Sequence, residues 1–322
     1  MVLLLSSFLL LSCAQHASSA TATTPGKTPT ASRAGVTPTT NPSGRMTATP
    51  AATARANTTP DATPMRYKMR QLLAGKYRPD DLAIDPMGHL VFSDIYHGVV
   101  SRLNADGSVT TLVRGLAEPE GLVYLHDGTL IIAEQQTNRI LAFVAATSAL
   151  TVLRVLPGRP SNRPCKSGVD GIALDPTTNT LIIPDSPSGD VYRMSLDGTK
   201  LTLLATHIPR PVGAAVDAQG DIYIADECGG ALWKIIPTGK IIRLGGFGMP
   251  DDIAFDHLGN MLVTDLKPTI HALIRIRYLT GRHEILASRG FMEPQGLAID
   301  NKDDIYLADG YADKIVEYIP GA

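Results

Sequence analysis

The chain has 322 residues, a formal net charge of −2 and 19% charged residues. That length supports one sizeable core, and the near-neutral balance excludes the bulk basicity by which proteins hold nucleic acid. No nucleic-acid partner is expected, and the chain is expected to act as a monomer.

The first element is an apolar run from Val2 to Leu11, too short to span a bilayer but suited to the centre of an export signal. The Leu10-Leu11-Ser12-Cys13 that follows resembles a bacterial lipobox, in which the Cys receives lipid and becomes the mature N-terminus. Leu11 is bulkier than the usual residue there and no Lys or Arg precedes the run, so a plain secretory signal is the alternative. The lipobox reading places the protein in the cell envelope, outside the cytoplasm, held to the membrane through lipid on Cys13. Residues 14–64 are almost all Thr, Pro, Ala, Ser and Gly. Such a segment cannot bury enough apolar surface to offset its ordering entropy, so it is expected to be a disordered stalk.

From residue 65 to 322 one pattern recurs six times. The copies are PDDLAIDPMGHLVFSD at Pro79, PEGLVYLHDGTLIIAE at Pro119, VDGIALDPTTNTLIIPD at Val169, PVGAAVDAQGDIYIAD at Pro211, PDDIAFDHLGNMLVTD at Pro250 and PQGLAIDNKDDIYLAD at Pro294. Taking Asp81, Gly121, Gly171, Gly213, Asp252 and Gly296 as markers gives a period of roughly 40–50 residues, the length of one propeller blade. Short runs of Ile, Leu, Val and Tyr between Gly, Asn and Asp turns read as strands. Each unit offers two further strands, such as Val99 to Leu103 and Val109 to Val113. The fold class is therefore all-β, a six-bladed propeller of four-stranded antiparallel blades. The last unit ends at about Ile319 without an outer strand, so the run from Met65 to Leu73 is expected to close the ring beside Lys314 to Ile319. The innermost strand of each blade is expected to be the most apolar.

The residue before each marker faces the mouth of the central channel: Asp80, Glu120, Asp170, Val212, Asp251 and Gln295. Clustered carboxylates raise one another's pKa unless a cation or hydrogen-bond donors compensate, and Ca²⁺ or another hard divalent cation is the simplest compensator. Alternatively these acids accept N–H bonds from turns and the channel holds water. A second acidic series, Asp94, Glu134, Asp185, Asp226, Asp265 and Asp309, recurs in every unit. Six equivalent copies argue for turn stabilisation rather than catalysis. The loops after that series vary between units, and His97 and Gln135 there, with Gln295 at the mouth, are the candidate substrate contacts. Asp80 and His271 are the candidate general bases. With Cys13 lipidated, Cys165 and Cys228 remain, in loops that open on one face of a propeller; they form either a disulfide or two free thiols.

The units at Pro211 to Asp226 and Pro294 to Asp309 resemble NHL repeats, and the same residues resemble the SMP-30/gluconolactonase/luciferin-regenerating-enzyme family. That resemblance implies hydrolysis of lactones or related esters with a divalent cation in the channel. It further implies Glu120, Asp170 and Asp251 as the metal ligands. Val212 stands where the family pattern places a ligating Asn, and Val has no donor atom. Two readings follow: a metal-dependent lactone or ester hydrolase, or a non-catalytic module whose loop face binds a small molecule or another envelope component.

Overall fold

The computed structural model describes residues 67–321; Cys13 and the 14–64 segment lie outside the described residues. Six four-stranded antiparallel sheets form the blades of a propeller ring, and no α-helix occurs among the described residues. In five blades the inner strand starts at the proline of the repeat, at Pro79, Pro119, Pro211, Pro250 and Pro294. A first strand residue can lack an N–H without breaking the ladder, so proline is tolerated there. Blade 3 has Val169 instead, and its inner strand is only Ala173–Asp175.

The turn into the second strand is built by an aspartate. Asp85 Oδ1 accepts the N–H groups of Met87 and His89, and Asp217 and Asp256 repeat the arrangement three and four blades further on. These side chains satisfy turn donors that no ladder reaches.

The second strands, not the inner ones, are the most apolar. Leu90–Asp94, Leu130–Glu134, Ile222–Asp226 and Met261–Asp265 are buried at every position. Each is covered on both faces by neighbouring blades, whereas the inner strand turns one face to the axis and carries carboxylates there. The core is accordingly a set of six seams, each shared by two adjacent blades. In one of them Ile131 and Ile140 of blade 2 pack with Leu181, Ile183 and Met194 of blade 3.

Ring closure follows the sequence expectation. Tyr67–Ala74 pairs antiparallel with Lys314–Pro320, Tyr67 opposite Pro320 and Ala74 opposite Lys314. Around the axis the blades approach so closely that a side chain at Gly213 would strike the Asp251 carbonyl and the Asp252 backbone. Gly213→Ala is therefore expected to cost roughly 3 kcal/mol through forced backbone displacement. The check is a lowered urea midpoint at unchanged slope.

Candidate functional site

The loops that deliver the inner strands to the channel mouth are held by the second acidic series. Asp265 accepts the N–H groups of Gly248, Met249 and Lys267. Asp309 accepts those of Met292 and Glu293, and Asp185 takes Gly158 N–H and the Asn138 amide. Asp226 accepts Arg210 N–H, Gly229 N–H and the Trp233 indole. All four are fully buried, so the turn-stabilising role expected from their repetition is what the geometry shows. Asp226→Ala would strand three donors at once, an expected loss of about 3 kcal/mol measured by thermal unfolding without added metal.

At the mouth, one carboxylate oxygen each from Asp80, Glu120 and Asp170 lies within 4.8 Å of the others. Asp80, Asp170 and Asp251 line a cavity of about 10 Å³ with Asp81, Asp252, Gly171, Gly213 and Gly296. That is room for the centre of about one water-sized particle. Asp80 is 3% exposed, and its Oδ2 is buried without a hydrogen-bond partner among the described residues. Burial pushes the Asp80 carboxyl well above the usual range, and Asp170 and Glu293 push it further. Glu120 is raised by burial and by Asp170 and Asp80, and Asp251 by burial and by Asp170 and Glu227. An arrangement that holds charge at this cost suits a hard cation with oxygen ligands, and the orphaned Asp80 oxygen is the kind of atom such an ion satisfies.

Asp81 and Asp252, one residue deeper, clasp adjacent blades. Asp81 accepts Leu82 N–H and, from the next blade, Leu122 N–H; Asp252 does the same with Ile253 and Leu297. Burial pushes Asp252 to about 7.

One guanidinium enters this acid ring. Arg210 Nη2 lies 3.3 Å from Asp170 Oδ2, and Nη1 pairs with Glu227. Burial opposes the charge, but Glu227, Asp170, Glu120 and Asp251 hold the Arg210 pKa above its ordinary value. Neither Arg210 nor Glu227 was singled out in the sequence. Register offers a signal for Arg210, which immediately precedes Pro211 as Arg78 precedes Pro79 in blade 1 and Glu293 precedes Pro294 in blade 6.

The other sequence candidates fall as follows. Val212 is wholly buried in the apolar seam between blades 4 and 5. His97 Nδ1 bonds Asp94 Oδ2 at 2.8 Å and lies beside Tyr77 and Tyr96. Gln135 donates its N–H to Glu118 and sits against Gly168. The Gln295 side chain packs on Gly310, and His271 closes the turn from Lys267 with a φ of 37°. None of these five lines the cavity. Cys165 and Cys228 form a disulfide, with Cα atoms 6.2 Å apart.

Fold and site together define a six-bladed β-propeller with an acidic channel mouth. No family model matches the chain, and no curated protein matches it in sequence. Among solved structures it is similar to a gluconolactonase from Xanthomonas campestris, at 17% identity and a TM-score of 0.63 over 81% of this chain and 96% of that one. A catalytically inactive virginiamycin B lyase from Staphylococcus aureus with quinupristin gives 15%, 0.59, 79% and 99%. A chain of a nidogen/laminin complex gives 21%, 0.60, 68% and 84%. At these identities the likeness is one of fold.

Proposed function

We propose that the chain is an exported, lipid-anchored propeller hydrolase that opens lactones or related esters with a divalent cation, Ca²⁺ first, at the channel mouth. The observation that carries this reading is the Asp80, Glu120 and Asp170 group with its orphaned, buried oxygen. Those three residues would hold the ion, so Asp80 serves as a ligand rather than a base, and Asp251 lines the cavity beside Asp80 and Asp170. When bound, the ion supplies a Lewis acid for the carbonyl oxygen and acidifies a water. Asp251, whose proton affinity is raised by burial, is then the carboxylate placed to accept a proton, whereas His271 stands outside the cavity. Fold likeness to a gluconolactonase supports the substrate class, and the Cys165–Cys228 disulfide supports an oxidising, extracytoplasmic compartment.

The test is thermal unfolding with Ca²⁺, Mg²⁺ or Mn²⁺, paired with lactone hydrolysis followed in a pH-stat. At a hundredfold excess over Kd, a specific ion is expected to raise Tm by about 5–10 °C. Unchanged melting with all three ions, or lactone opening indifferent to chelator, removes the metal-dependent hydrolase reading. Two observations favour the rival binding module: Val212 offers no donor atom where a ligating Asn belongs in the related pattern, and Arg210 already neutralises part of the acid ring. Cation stabilisation without turnover would select that rival.

A further inference from the structure

Asp170 is the one carboxylate of the three that no strand ladder holds. Asp80 and Glu120 lie within Pro79–Ile84 and Pro119–Tyr124. In blade 3 the pairing starts at Ala173 opposite Ile182, so the segment carrying Asp170 runs to the mouth outside the sheet. A ligand must be held closely for a cation site to keep its affinity, and something other than the ladder has to do it.

Several tethers reach that segment. Val169 N–H donates to Asn138 Oδ1 at 2.7 Å, the Asp170 carbonyl accepts Gly121 N–H at 3.2 Å, Lys166 Nζ donates to the Pro187 carbonyl at 3.0 Å, Arg210 pairs with Asp170, and Cys165 is bonded to Cys228. The last two belong to one closed circuit. Cys228 follows Glu227, Glu227 pairs with Arg210, Arg210 pairs with Asp170, and Asp170 lies just beyond Cys165 along the chain. Cys165 itself holds a left-handed φ of 63°, which fixes the direction in which the segment leaves the bridge. A purely mechanical crosslink between blades is not needed here, because Ile182 and Ile208 of blade 3 already share a buried seam with Ala214 and Ile224 of blade 4.

We infer that the Cys165–Cys228 disulfide is a positioning device for the cation site, holding Asp170 through the Asp170, Arg210 and Glu227 chain in place of the missing ladder. The inference rests on the reading of Asp80, Glu120 and Asp170 as the cation-holding group. Cys165, Cys228 and Arg210 are positioning residues: they act through Asp170.

The experiment is a Ca²⁺ titration of the full-length protein, read by calorimetry and by fluorescence of Trp233, whose indole bonds Asp226 beside Glu227. The oxidised protein is compared with the same sample after dithiothreitol, which yields two protein thiols and is itself oxidised to the cyclic disulfide. A Cys165→Ser/Cys228→Ser variant forms the third arm. The expected result is a Kd roughly 10- to 100-fold weaker in both disulfide-free forms, restored on reoxidation. Hydrogen exchange at Gly171 and Ile172 should quicken while the inner strand of blade 1 stays protected. A lower Tm with an unchanged Kd overturns the inference and makes the bridge a stability crosslink alone. Absence of Ca²⁺ binding by the oxidised protein overturns the cation reading, and this inference with it.

Discussion

A chain that lacks residues 67–74 is expected to lose its cooperative unfolding transition and to aggregate. The deleted segment is the outer strand of blade 6, and without it Lys314–Pro320 becomes a long exposed edge carrying Ile315, Val316 and Tyr318, all buried in the intact ring. Leu73 leaves the seam between blades 6 and 1. Tyr67 leaves Arg275, a guanidinium 1% exposed whose Nη1 donates to the Tyr67 hydroxyl at 3.0 Å. A deleted core leucine and a stranded buried donor together cost roughly 5 kcal/mol before any ladder bond is counted. That compares with a total stability of about 5–15 kcal/mol. Because Tyr67 sits opposite Pro320, a permuted chain that begins at residue 75 and carries 67–74 after residue 321 through a short Asn-Gly loop should restore the transition. Equal urea midpoints for the truncated and intact chains would show that ring closure does not hold the fold together.

This closure was legible in the sequence because strands come four to a unit and the last unit was visibly one short. Blade number was legible for the same reason: the turn aspartates, such as Asp85, Asp217 and Asp256, recur with the chain, not with the tertiary contacts. The four acids at the mouth were found by register alone, and three of them meet in space. Register failed where a residue's role depends on the neighbouring blade. Asp81 and Asp252 read as counterparts of glycines, yet each clasps the next blade through Leu122 or Leu297 N–H. Arg210 and Glu227 come from different loops of blade 4, and although register marks the position of Arg210, nothing along the chain announces that it bridges Glu227 and Asp170. The pairing of Cys165 with Cys228 is not legible in the sequence because it depends on the path of the long loop into blade 3, which no periodicity encodes.

The sharpest consequence of the acid ring concerns Asp80→Asn, which is expected to stabilise the cation-free protein while removing its response to cations. Asp80 is buried, one of its oxygens has no partner among the described residues, and Asp170 and Glu293 repel its charge more than Arg210 and Arg78 relieve it. Asn keeps the shape, removes the charge and can donate to a neighbouring carboxylate. A gain of about 1–3 kcal/mol without metal is expected, of the size seen when buried charge is replaced. The cation-induced rise in Tm should vanish, and lactone opening should fall on the order of 100-fold or more. The pH dependence follows in sign. Because burial raises these carboxyls, the folded protein keeps protons that the unfolded chain releases from about pH 4 upward. Stability of the cation-free protein is therefore greatest in acid and falls as pH rises toward about 7, the value to which burial pushes both Asp252 and Glu293. Saturating Ca²⁺ should flatten that slope in the wild type, and Asp80→Asn should flatten part of it without metal. A variant less stable than the wild type in chelator at neutral pH would mean that the Asp80 carboxylate is already compensated, and that the mouth has no vacancy for an ion to fill.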